Sequence, residues 1–237
     1  MATEFEKWQQ TIDAALKDPA WDGYDCDIQR IVNEFNTFLA RTHGFALLDW
    51  KLIKAMVWTE SGGPSTPAWN TRPIQIGNPG DPGLRALLSG QEGGELILPA
   101  PYAKSLTIAS AVATPQMNIV AGVAYLLMRC ARYGNETVTS GPVTSYTVLP
   151  GDSFDKIARL NGSTVDALQK LNPGVRLLHP KQVLKFQKAV HRKQITGWER
   201  ITTALIAAKY NTGDPRYVDK LNYCLAVIQK VSGRTKC

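Results

Sequence analysis

Ile28, Ile31, Val32, Phe35, Phe38 and Leu39 recur at spacings of three and four, which predicts one apolar face of an amphipathic helix. Leu47 to Thr59 is apolar on nearly all sides apart from Asp49, Lys51 and Lys54, so it reads as a central helix enclosed by its neighbours. Thr114 and Pro115 read as the cap and first position of another helix, whose face continues through Ile119, Gly122, Val123, Leu126 and Cys130. Between these helices, "ALLSGQEGGELILPAPY" is punctuated by Gly and Pro and reads as irregular chain suited to cleft walls.

The polar run "RYGNETVTSGPVTS" reads as a linker, and beyond it the period changes. "SYTVL" alternates as a strand, Ser153 to Leu160 and Thr164 to Leu171 read as short helices, and "QVLKF" alternates again, giving a small strand-helix-helix-strand module. A second linker, "AVHRKQITG", follows. Helical spacing resumes from Trp198 with Ile201, Leu205 and Ala208, and again with Tyr217, Leu221, Cys224, Leu225 and Ile228 after the turn "YNTGDP". These last helices have no core of their own. The expected fold is therefore mainly α, with one helical domain formed by residues 1–138 and 196–237 and a small α+β (βααβ) module inserted at 144–190, an arrangement that exposed loops tolerate.

Composition adds limits. With 237 residues, 44% of them apolar, the chain has enough material for a sizeable core. A net charge of +7 favours an anionic partner, but the positive charges are scattered, which argues against a dedicated nucleic-acid surface. The N-terminal Met-Ala-Thr-Glu-Phe-Glu-Lys lacks the features of a secretory signal, and no apolar run reaches the ~20 residues that span a bilayer. The expectation is a chain made in the cytoplasm, with any role outside requiring specialised export or cell lysis. Cys26, Cys130, Cys224 and Cys237 form no metal-ligand pattern, so neither a metal nor a cofactor is expected. Buried free thiols are one reading of Cys130 and Cys224, and a disulfide between them in an oxidising compartment is the other.

Glu60 is the candidate for chemistry. It closes the apolar run of the central helix, where the helix dipole and apolar surroundings both disfavour its charged form. That environment prepares a general acid, while a surface Glu at a frayed helix end is the alternative.

Two resemblances sharpen the picture. "YTVLPGDSFDKIARLNGSTVDALQKLNPGV" followed by "LHPKQVLKF" resembles the lysin motif, or LysM, module. The resemblance implies a two-stranded sheet with both helices on one side and a shallow groove for N-acetylglucosamine-containing glycans. Gly151, Asp152, Ser153, Asn172, Pro173 and Gly174 would border that groove, with Asp152 and Ser153 also suited to capping a helix.

The interrupted helical domain resembles the soluble lytic transglycosylases and goose-type lysozymes, which share a lysozyme-like α-helical fold. "TESGG" matches the end of their catalytic helix, and "RPIQIGNPGD" stands where they carry a Gly-Leu-Met-Gln loop. "NIVAGVAYLL" and "AAKYNTGDPRYV" match two further strings in family order. The resemblance implies Glu60 as catalytic acid/base, with Ser61, Gln75, Ile76, Tyr125, Tyr210 and Asn211 as substrate-binding or cleft residues. Tyr125 in the core with a satisfied hydroxyl, and Asn211 as a turn residue, are the plainer readings. The segment Ala68–Arg72 departs from the family's Ser-x-x-Gly-Ala-x-Gly string, so sugar contacts made there in relatives do not transfer.

The function this implies is cleavage of the MurNAc-GlcNAc β-1,4 bond of peptidoglycan. A lytic transglycosylase needs only Glu60, because the substrate's C6 hydroxyl attacks and leaves a 1,6-anhydro end. A hydrolysing muramidase would instead position water, which Asp81, Glu92 or Glu95 could help to do, Asp81 best of these because it closes the glutamine loop. A catalytically idle wall-binding protein is the reading from another class. The expected partners are peptidoglycan glycan strands and an immunity protein that blocks the cleft. The role is either an antibacterial effector delivered to a target cell's periplasm or a phage endolysin, and the interrupted layout favours the effector.

Overall fold

The computed structural model describes residues 2–231, 233, 234 and 237. It is mainly α with one two-stranded antiparallel sheet. In chain order the elements are α1 (Glu4–Asp13), α2 (Asp25–Leu39), α3 (Trp50–Ser61), α4 (Pro67–Thr71), α5 (Gly83–Leu88), α6 (Ala100–Ser105), α7 (Ile108–Ala113), α8 (Pro115–Cys130), β1 (Ala131–Thr147), α9 (Phe154–Leu160), α10 (Val165–Leu171), β2 (Val183–Trp198), α11 (Thr203–Lys209) and α12 (Tyr217–Val231). The chain forms two compact units, residues 1–132 with 195–237, and residues 133–194.

In the first unit α3 and α8 are the central helices. Asp49 caps α3 by accepting from the Lys51 N–H at 2.9 Å, and Ile53, Ala55, Met56, Val57 and Trp58 are buried around its circumference. Gly62 ends α3 in the left-handed conformation at φ 74°, a position that favours glycine. α12 packs against α3 and buries Leu221, Cys224 and Ile228, with Cys224 Sγ 3.5 Å from Thr59 Oγ1, which is how the late helices share the early core. Lys54 is 2% exposed within this apolar helix. Its ammonium meets Asp22 Oδ1 at 2.5 Å and Asp25 Oδ1 at 2.6 Å, and lies over the Trp50 and Trp58 rings.

α8 is enclosed from Asn118 to Val123, and Asn118 is buried with all its polar atoms used. Its Nδ2 donates to Ile76 O and Ala111 O, both at 2.9 Å, and its Oδ1 accepts from the Ile74 N–H at 3.1 Å. The stretch 86–102 expected to be irregular holds the end of α5, a short 3-10 turn at Gly94–Leu96 and the start of α6. Cys130 and Cys224 are buried free thiols, and burial pushes both up to about 12. The disulfide joins Cys26 to Cys237 instead, so the bridge considered between Cys130 and Cys224 does not form.

The second unit has its own core of Val148, Ile157, Ala158, Leu168 and Leu184, flanked by Tyr146, Phe154, Val165, Val175, Leu178 and Phe186. Ser153 and Thr164 cap α9 and α10 with their hydroxyls. The two polar runs read as linkers are largely strand, because β1 and β2 extend well beyond "SYTVL" and "QVLKF". Val148 N–H donates to Gln182 O at 2.8 Å, Thr137 Oγ1 lies 3.4 Å from His191 Nδ1, and Glu199 N–H donates to Cys130 O at 2.9 Å. Tyr146, Leu184 and Phe186 pack on the core, but the ribbon beyond them is held mainly by its backbone ladder, so hydrophobic alternation does not mark it. Both strands are edges, which accommodates Pro142 within β1. Helix α11 starts at Thr203, so Trp198, from which helical spacing was read, instead ends β2.

Candidate functional site

Glu60 sits in the last turn of α3, in a cavity of about 220 Å3. Gln75, Ile76, Asp81, Tyr125, Tyr210 and Asn211 line the same cavity, together with Ile74 and Asn78. The residues come from α3, the 74–81 loop, α8 and the end of α11, so four separate stretches of sequence converge on one carboxylate.

Glu60 Oε1 accepts from Tyr217 Oη at 2.6 Å and lies 3.4 Å from Asn211 Nδ2. Burial raises the Glu60 carboxyl above the usual carboxylate range, and the Tyr217 and Asn211 hydrogen bonds and the Lys220 charge pull against that rise. Burial beside the carboxylate pushes the Tyr217 hydroxyl strongly upward, so Tyr217 remains a donor. A neutral carboxyl held in a fixed rotamer beside an open cavity can deliver a proton to a bound oxygen.

The 74–81 loop is strapped to α8. Asn118 holds its backbone at Ile74 and Ile76, Tyr210 Oη donates to Ile74 O at 2.8 Å, and Gly122 leaves room for the Ile74 side chain. Gln75 lies in the left-handed region at φ 59°, a strain of about 1–3 kcal/mol for a residue other than glycine. Its Nε2 donates to Arg72 O at 2.9 Å and its Oε1 accepts from Asn78 Nδ2 at 2.7 Å. A Cβ on Gly122 would run into the Ile74 side chain and come within 3.1 Å of Tyr210 Oη. Gly122→Ala is therefore expected to lower stability by about 1–3 kcal/mol by overpacking. Thermal unfolding checks this, and an unchanged Tm would mean that the loop yields freely.

Asp81 shares the cavity with Glu60, but both its oxygens hold the loop: Oδ2 accepts from Gly77 N–H and Oδ1 from Gly83 N–H, each at 2.8 Å. Ser61 does not line the cavity. It is buried, donating to Val57 O at 2.6 Å and accepting from Gly63 N–H at 3.2 Å, which shapes the turn after α3. Tyr125 lies edge-on to Tyr210 with ring centres 5.7 Å apart. Glu92 pairs with Arg129 at 3.6 Å, and neither Glu92 nor Glu95 lines the cavity. From sequence Tyr217 reads only as part of an apolar helical face. A tyrosine among aliphatic residues needs a partner for its hydroxyl, and that was the available signal.

In the second unit, Gly151, Pro173 and Gly174 are exposed, and the two glycines have φ of 78° and 88°. The other three predicted residues spend their side chains on the loops. Asp152, its side chain 1% exposed, accepts from Leu149 N–H and Tyr146 Oη at 2.8 Å and pairs with Lys156 at 3.0 Å. Ser153 caps α9, and Asn172 donates to Lys185 O at 2.7 Å and accepts from Lys185 N–H at 2.8 Å, like an extra strand residue. Leu149 and Leu177, 56% and 76% exposed, stand beside these loops and were not singled out from sequence.

Residues 146–186 match the LysM domain family, so the chain carries a LysM domain there and, with it, a module for binding peptidoglycan glycan. No curated protein and no solved structure matches the chain. Among the described residues, no helix is long and apolar enough to cross a membrane, and no cluster of His, Cys, Asp and Glu could hold a metal ion.

Proposed function

We propose that the chain is a peptidoglycan-cleaving glycosidase with a lysozyme-like helical domain, in which Glu60 is the acid/base and the LysM domain keeps the enzyme on its polymer. The observation that carries this reading is the buried Glu60 carboxyl, raised by desolvation and hydrogen-bonded to Tyr217 and Asn211 at an open cavity. Protonating the glycosidic oxygen requires such an acid, as in the lysozyme pattern. Tethering by a second site raises the effective concentration of glycan at the cleft.

The engagement of both Asp81 oxygens by backbone N–H groups favours a lytic transglycosylase over a hydrolysing muramidase. With no free second carboxylate offered there, Glu60 would first protonate the leaving oxygen and then take the proton from the C6 hydroxyl of N-acetylmuramic acid as that hydroxyl closes on the anomeric carbon. The proposed setting is the cell wall of a target bacterium, reached after export or lysis, with the producer protected by a protein that fills the cavity. The test is release of soluble muropeptides from purified sacculi by the full-length protein. Tight sacculus binding without release would replace the enzyme with a wall-binding protein.

Tyr217 is a positioning residue in this scheme. Its hydrogen bond lowers the Glu60 pKa, so Tyr217→Phe lets that pKa rise further. The acid form then persists to higher pH, and the alkaline limb of the activity profile is expected to move upward. A limb that stays in place while activity falls would give Tyr217 a purely structural role.

A further inference from the structure

Beside the Glu60 cavity lies a second groove of about 530 Å3, and the two share Asn78 and Asp81 in their walls. Leu84, Ile108 and Val112 supply its apolar lining. Two arginines stand on it, Arg72 from the end of α4 and Arg85 from α5. Neither guanidinium makes an ion pair or hydrogen bond among the described residues, whereas Arg30 and Arg129 in the same unit are paired with carboxylates. The groove's own acid, Asp81, is committed to the Gly77 and Gly83 N–H groups.

We infer that this groove is a subsite for the stem peptide of peptidoglycan, with Arg72 and Arg85 receiving its carboxylates. The inference rests on the glycosidase reading, since it takes the glycan to lie in the Glu60 cavity. The stem peptide leaves the sugar through the lactyl ether of N-acetylmuramic acid, so a peptide-binding groove must adjoin the site of bond cleavage. Small aliphatic side chains suit the Leu84, Ile108 and Val112 surface, and guanidinium forks suit carboxylates. At the junction, Asn78 Oδ1 is buried without a hydrogen-bond partner, an acceptor that an amide N–H entering between the two cavities would satisfy after a small loop movement.

The test compares two ligands, a GlcNAc-MurNAc disaccharide bearing a tetrapeptide and the same disaccharide without it, by calorimetry on full-length protein carrying Glu60→Gln. The LysM domain contributes equally to both, so the affinity ratio isolates the peptide. The expected ratio is roughly tenfold in favour of the peptide-bearing ligand, the size of one charge-assisted contact. It should fall to about one with Arg72→Gln and Arg85→Gln together, and survive Arg41→Gln, which removes the same kind of charge outside the groove. A ratio near one from the start, or one unchanged by the double substitution, overturns the assignment. So does equal loss with Arg41→Gln, or competition by inorganic phosphate without peptide preference. Failure of the wild type to cleave sacculi would overturn the glycosidase reading separately, because the ratio is measured without turnover.

Discussion

Glu60→Gln is expected to cut release of soluble muropeptides by roughly 10²–10⁴-fold, the usual contribution of a positioned general acid. The substitution keeps size and shape, and the Gln oxygen still accepts from Tyr217, which now donates to Glu60 at 2.6 Å. What is lost is the proton. Because the LysM domain at 146–186 has its own core, sacculus binding should persist in the variant. Co-sedimentation with sacculi and dye release from labelled sacculi separate the two. Loss of both together would point to misfolding, and unchanged release would remove Glu60 from the chemistry.

The second large effect concerns stability. Lys54→Ala is expected to cost about 3–5 kcal/mol, on the order of 10 °C in Tm, because two buried carboxylates lose their cation. Asp22 and Asp25 meet the ammonium at 2.5 and 2.6 Å, and all three side chains are nearly excluded from solvent. Replacing the triad by Lys54→Met with Asp22→Asn and Asp25→Asn should recover much of that loss, since the cost lies in unpaired charge. Denaturant unfolding measures both proteins. A near-neutral Lys54→Ala would mean that water reaches the carboxylates.

The same triad shows what could be read from the chain. Ile28 to Leu39 declares its helix through a period of three and four, and the run to Thr59 declares its own by being apolar nearly all round, with Lys54 as a charge inside it; that helix starts at Trp50, because Asp49 caps it and leaves Leu47 and Leu48 outside. The partners of Lys54 could not be named, since Asp22 and Asp25 lie about 30 residues earlier and only packing brings them in. The β1 and β2 extensions were illegible for the opposite reason. Apart from Ala189 none of their residues is buried, so residues 132–145 and 189–197 carry only the polar, Gly- and Pro-containing look of linkers.

At the cavity, Glu60, Gln75, Ile76, Tyr125, Tyr210 and Asn211 were named from short strings, and they line one space. Ser61 came with the "TESGG" string, but successive helical residues face different directions, and its hydroxyl turns back to Val57. Tyr217 escaped because a tyrosine on a helical face looks like core until its hydroxyl is traced. In the LysM domain, the exposed backbone at Gly151 and Gly174 followed from residue type, while the inward turn of Asp152 depended on the Leu149 N–H and Tyr146.

Whether Glu60 cleaves glycan strands is decided by mass spectrometry of the fragments that the wild-type protein releases from purified peptidoglycan. The expected products are disaccharide-peptides ending in 1,6-anhydro-N-acetylmuramic acid. Release of no glycan fragments, or of peptides alone, would contradict that role of Glu60.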